Sequence, residues 1–205
     1  MVRRSQPNQI DLRQRILNAS LNEFAEKGYH QATLDEIASR VGASKGSVYW
    51  YFENKRALFL DVVTEELSRL TKYLEAVVTD GNQSAVARIK AFIVANLTYY
   101  TDHPEFCSLI KVFNSPGGPG LDKDMEIIVA EDYHRLRAMA DSLLQEGVRR
   151  GELDPACTAV AAPMMIALLD GLMFQWVLDP QAVPLKELAG TVAGAFLEGI
   201  IKRTN

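Results

Sequence analysis

Apolar residues recur three and four apart along nearly the whole chain, interrupted by glycines, prolines and polar clusters. Ile16, Leu17, Leu21 and Phe24 mark a first helix from about Ile10 to Lys27, with Gly28 as its stop. Thr33, followed three residues later by Glu36, is a capping-box start for a second helix carrying Ile37, Ala38 and Val41. Gly42 closes that helix. Ser44 can cap a third through its hydroxyl, with Val48 and Phe52, four apart, on the buried side. Asn54 then caps a long helix that starts near Lys55 and runs past Val77 on Leu58, Phe59, Val62, Val63, Leu67, Leu70 and Leu74.

The polar stretch Asp80 to Ser84 makes a turn, and Ile89, Phe92, Ile93 and Leu97 predict a helix over Ala85 to Tyr100. His103-Pro104 breaks it, and Pro104 suits the first turn of the next, through Phe113. Ser115 to Gly120 is a loop; it has no lysine and hydroxyl after its glycines, so it lacks the pattern of a phosphate-binding loop. Asp122 to Arg150 reads as a further helix, closed by Gly151. Asp154-Pro155 is a cap followed by a first-turn proline, and Pro163 should bend or divide the helix it opens. Beyond it, Met164 to Leu178 is apolar nearly all round and must be covered on most sides. The last helix, Leu185 to Lys202, sets Leu188, Val192 and Phe196 beside Gly190, Gly194 and Gly199, small residues that permit close approach. No strand-like alternation or repeat occurs, so the expected fold is all-α, with a helix-turn-helix head over residues 1–54 and a helical body over 55–205.

Charge adds to this division. The chain of 205 residues carries a net −4, yet through Arg56 there are nine Lys/Arg against six Asp/Glu, and beyond it thirteen against twenty. A basic head on an acidic body suits contact with nucleic acid at one end. A hydrophobic share of 48% is enough to fill a core. Cys107 and Cys157 stand in no paired motif and read as reduced thiols. The polar first nine residues, with Arg3, Arg4 and Pro7, have no apolar stretch behind them and give no signal peptide. Met164 to Leu178, interrupted by Asp170 and Gln175, falls short of a membrane span. The expected protein is soluble and cytoplasmic, with no membrane partner.

Thr33 to Phe52 can offer its second helix to DNA. Lys45 can meet a phosphate or a guanine edge, and Ser47 a phosphate or a base. Gly46 costs about 1 kcal/mol in a helix relative to alanine, which close approach of backbone to DNA would justify. Tyr49 and Trp50 combine large apolar surfaces with a hydroxyl and an indole N–H. Thr33 and Lys55, at helix starts, favour phosphate. The string GASKGSVYWYFENKRALF, preceded by ILNASLNEFAEKGYHQATLDEIASRVG, resembles the DNA-binding domain of TetR-family transcriptional regulators, without a gap. The resemblance implies a three-helix head, a ligand-responsive repressor, and DNA-facing positions at Thr33, Lys45, Gly46, Ser47, Tyr49, Trp50 and Lys55. The family often has histidine where Trp50 or Tyr51 stands here.

One small head reads few base pairs, whereas two heads about 34–36 Å apart would read a palindromic operator in double-stranded DNA. The apolar helix and the glycine-bearing final helix are the expected homodimer interface, with Leu172, Gln175, Leu188, Val192, Phe196 and Gly199 facing the partner, as the resemblance also implies. Phe92, Leu97, Tyr100, Phe106, Phe113, Met139, Leu143, Met165, Leu168 and Phe174 are aromatic or flexible side chains on separate helices. They could surround a small, mostly apolar effector. His30, His103 and His134 are scattered and match no nucleophile or metal motif. His103 and Cys107, four apart, are two ligands at most, so neither a metal site nor a cofactor is expected, and an enzyme is the weaker reading.

Overall fold

Capping side chains open most of the helices in the computed structural model, which describes residues 7–114 and 122–201. In chain order the helices are α1 (Pro7–Gln31), α2 (Leu34–Arg40), α3 (Lys45–Tyr51), α4 (Lys55–Val78), α5 (Ala85–Asp102), α6 (Pro104–Asn114), α7 (Lys123–Arg149), α8 (Pro155–Thr158), α9 (Ala161–Leu178) and α10 (Leu185–Glu198). Extended pairing among the described residues is confined to a bridge between Leu153 and Ile201. The fold is all-α. The loop expected at Ser115 to Gly120 lies outside the described residues.

The helices belong to two compact units. One comprises the chain up to Leu67 together with Pro104–Ile128; the other comprises Ser68–His103 together with the chain from Val129 onward. The boundary cuts α4 and α7 partway along their length.

In the first unit the centre is aromatic. Phe24 of α1 meets Phe59 of α4 edge to face with centroids 5.1 Å apart, and Tyr29 closes on Phe59 at 5.3 Å. Tyr29 sits just past a kink at Gly28, where φ is 76° and ψ 171°, a conformation a side chain would strain. The expected stop at Gly28 is therefore a bend, and α1 continues to Gln31. Asn54 caps α4 as expected, its side-chain oxygen accepting from the Ala57 amide at 2.9 Å. α6 packs along α1, and Phe106, Cys107, Leu109 and Val112 are buried. Burial pushes the Cys107 thiol up to about 12, which leaves it protonated and unreactive at neutral pH.

In the second unit α5 packs against α10 and α9. Ile89, Phe92, Ile93 and Leu97 of α5 are wholly buried, and α10 answers with Leu185, Ala189, Ala193 and Leu197 at spacings of four. Each such large side chain stabilises the fold by about 1.5–3 kcal/mol. Gly147 of α7 is required by packing: a Cβ there would lie 2.6 Å from Leu153 Cδ1 and 3.3 Å from Ala85 Cβ. The Asp154 amide donates to the Ile200 carbonyl at 2.9 Å and fixes the end of α10.

The second unit revises three expectations. The break attributed to Pro163 falls earlier, between α8 and α9, and Pro163 occupies the first turn of α9, where its missing N–H costs nothing. α10 ends at Glu198, with Gly199 as its cap, instead of reaching Lys202. Because α9 begins at Ala161, it has 18 residues and is long and apolar enough to cross a membrane by length and composition, so the expected shortfall does not hold. One side of α9 nevertheless packs on α5 and α10, and Asp170 accepts a hydrogen bond from the Tyr133 hydroxyl at 2.8 Å.

Candidate nucleic-acid interface

The turn between α2 and α3 is built by local chemistry at three points. Thr33 Oγ1 accepts from the Glu36 amide at 3.2 Å and donates to the Glu36 carboxylate at 2.8 Å. Gly42 takes φ 65°, and the Gly42 and Ala43 amides return to the Ser39 and Ala38 carbonyls at 3.1 and 2.9 Å, the paired bonds of a Schellman closure. Ser44 Oγ then accepts from the Ser47 amide at 3.1 Å and meets the Ser47 hydroxyl at 2.8 Å. Val48 and Phe52 are buried beneath the turn, as their spacing predicts. The opposite side of α3 is open: Tyr49 is 47% and Trp50 68% exposed, and Lys45 and Gly46 are exposed with them. Trp50 is braced edge-on by the Tyr51 ring at 4.6 Å. A Cβ on Gly46 would meet nothing closer than Ser44 Oγ at 3.8 Å, so packing within the chain does not require a glycine there.

Each described Lys and Arg through Arg56 has an intramolecular partner. Arg13 pairs with Asp61 at 2.6 Å, and Arg15 donates to the Val41 carbonyl at 2.5 Å. The buried carboxylate of Glu23 is flanked by Lys27 at 2.6 Å and Arg40 at 2.5 Å, with Glu36 and Glu26 completing the pairs outside. Arg56 clasps Asp122 and Asp124, the latter at 2.9 Å. Lys45 Nζ lies 2.8 Å from Asp35 Oδ2, which raises the lysine above its ordinary value. Asp35 is not among the residues that the sequence marks for DNA. An acid in the first turn of a helix reads as a dipole partner, and nothing in the local pattern signals a pairing across the turn.

Lys55 is placed differently from the expectation. Its ammonium donates to the carbonyls of His30 and Ala32 at 3.1 and 3.0 Å and lies 4.8 Å from the Tyr29 ring centroid, and burial lowers its pKa. It secures the link between α1 and α2, leaving one N–H for any other partner.

The expected effector residues are divided. Phe92, Leu97, Tyr100, Leu143 and Met165 are buried and Met139 and Leu168 half-buried in the second unit, whereas the buried Phe106 belongs to the first. The Phe113 side chain lies outside the described residues. Phe174 is 49% exposed and does not join the interior. It falls on an outward stripe of α9 with Met164, Ala167, Gly171 and Leu178, spaced three and four apart, Met164 and Leu178 being 58% and 69% exposed. Of the expected interface residues, Leu172, Leu188, Val192 and Phe196 are half-buried and Gln175 and Gly199 exposed. Asn96, on α5 among the buried aromatics, was not anticipated: it is 2% exposed, and its side-chain oxygen has no donor among the described residues.

Comparison with known proteins agrees with this architecture. The family described as bacterial regulatory proteins, tetR family, matches residues 16–62, and the family described as BetI-type transcriptional repressor, C-terminal, matches residues 85–202. The HTH-type transcriptional regulator YdgC of Bacillus subtilis, itself uncharacterized, is 25% identical over 199 residues, covering 96% of each chain. The fatty acid metabolism regulator protein of the same organism is 24% identical over 190 residues, covering 90% of this chain and 93% of that one. The crystal structure of the regulator FadR from Bacillus subtilis in complex with stearoyl-CoA superposes with a TM-score of 0.76 at 20% identity, covering 91% of this chain and 98% of that one.

Proposed function

Because the chain belongs to the tetR family of bacterial regulatory proteins, and so is a DNA-binding transcription regulator, we propose that it is a cytoplasmic repressor that binds a palindromic operator as a homodimer. A small, mostly apolar effector releases it. The observation that carries this reading is the open side of α3, where Lys45, Gly46, Tyr49 and Trp50 are exposed opposite the buried Val48 and Phe52, with the half-buried Ser47 beside them. Thr33 contributes from the start of α2, and Lys55 through its remaining donor. The outward stripe of α9, with Leu172, Gln175, Leu188, Val192, Phe196 and Gly199, supplies the dimer contact.

In this reading Phe92, Leu97, Tyr100, Leu143 and Met165 face the effector, and Asn96 accepts one hydrogen bond from it. A buried carbonyl without a donor is costly, so a ligand that supplies one is favoured over a plain hydrocarbon. That FadR binds stearoyl-CoA supports an effector with a long apolar part. α4 runs through both compact units, and a change in its direction on effector binding would move the heads off palindrome spacing. The effector can shift that balance only by its preference for one state.

Selection of bound duplexes from a random DNA pool, followed by a screen for small molecules that release the selected site, tests this proposal. A two-fold symmetric consensus is expected. An asymmetric consensus removes the dimer, and ligands that bind without altering DNA affinity remove the release mechanism.

A further inference from the structure

Lys45 and Asp35 form an ion pair across the turn, 2.8 Å apart, with both side chains more than half exposed on the side that carries Tyr49 and Trp50. The ammonium has three N–H donors, of which Asp35 takes one. A phosphate approaching this pair meets a carboxylate beside the ammonium, so attraction and repulsion largely cancel. A guanine edge is uncharged and presents two acceptors, O6 and N7, which the remaining donors can meet without that penalty. The pairing therefore lowers the value of Lys45 for the backbone and preserves its value for a base. The other described cations through Arg56 are likewise partnered within the chain.

We infer that Asp35 is a specificity-determining residue: it holds Lys45 as a reader of a guanine edge and suppresses sequence-independent DNA binding. This rests on the DNA-binding reading of α3.

The test compares the unmutated protein with Asp35→Asn, which keeps the shape and the helix-start preference, on the selected operator duplex and on a random-sequence duplex of equal length across a salt series. Thermal melting confirms that each variant is folded. Asp35→Asn is expected to bind random duplex about tenfold more tightly at low salt, with a salt dependence steeper by about one. Operator affinity should change by less than about threefold, so that specificity falls by a factor of several. In a Lys45→Met background the Asp35→Asn effect should vanish. Equal tightening on both duplexes, no change on either, or an effect that persists without Lys45 overturns the inference. If the unmutated protein binds neither duplex, the DNA-binding reading falls and takes this inference with it.

Discussion

Among the helices that leave large apolar side chains in solvent, α3 and α9 do so with opposite chemistry. On α3, Tyr49 and Trp50 carry a hydroxyl and an indole N–H and stand among Lys45 and Ser47. On α9, Met164, Phe174 and Leu178 are spaced along a stripe with Ala167 and Gly171 and carry no hydrogen-bonding group. Exposed area alone does not name a partner. A ring with a donor at its edge suits a partner that is apolar in places and charged in others, as DNA is at its sugars, bases and phosphates. A hydrocarbon stripe suits only another apolar surface, and a second copy of the same helix offers one.

The largest effect should come from placing charge on the α9 stripe. Phe174→Glu with Leu178→Glu should convert the proposed homodimer to monomer, weakening association by at least about a hundredfold, since each buried side chain contributes about 1.5–3 kcal/mol. Sedimentation velocity reads this, and a dimer that survives would assign the stripe to another occupant. On α3, Lys45→Ala and Tyr49→Ala should each cost about 1–3 kcal/mol of operator binding, without change in Tm or in assembly. Loss of assembly in these variants would erase the contrast between the helices. A finer probe is Trp50→Phe, which keeps most of the ring and deletes the N–H. If the polar edge matters, operator affinity should fall by about 0.5–1.5 kcal/mol, whereas an unchanged affinity would make Trp50 resemble the α9 side chains after all.

A second contrast is electrostatic. The carboxylates of Glu26, Glu36 and Asp122 in the first unit are held below the usual range, chiefly by hydrogen bonds from Arg40, Lys27 and Arg56 respectively. In the second unit burial pushes Asp132 and Asp170 upward, Asp132 despite a 3.1 Å bond from Thr71. Raised in the folded state, Asp132 holds its proton where the unfolded chain has released it. Its contribution therefore becomes unfavourable as pH rises from the ordinary carboxylate value of about 3.9 through the folded one. Asp132→Asn, which can still accept from Thr71, should raise Tm at neutral pH, and the advantage should disappear on acidification to about 3.9. This is the smallest of the expected effects, and a Tm difference independent of pH would assign it to packing.

The turn from Thr33 to Phe52 was legible residue by residue because its signals are local: a hydroxyl, an acid three residues on, a glycine and a second hydroxyl, each acting within a few residues. What stayed hidden is long-range or directional. Lys55 reads as an outward cation until Tyr29 and the His30 and Ala32 carbonyls are brought beneath it. Phe174 reads as a pocket residue because an apolar-all-round helix carries no periodic sign of which side faces out. Asp35, Asn96 and the pairs Thr71–Asp132 and Tyr133–Asp170 depend on which helices meet, and periodicity does not report that. Pro163 marked a break correctly in kind and misplaced it by a few residues, since proline is as comfortable inside a first turn as before one.

The packing of α6 along α1 has a consequence for modularity. A recognition head exchanged between relatives by cutting near Asn54 would leave behind the helix that covers α1, and one cut after Leu67 would also part Arg56 from Asp122 and Asp124. The transplantable module is two separate stretches of chain, the residues up to Leu67 and Pro104–Ile128. Heads grafted with both should keep their stability on a foreign body, and heads grafted with the first alone should melt earlier.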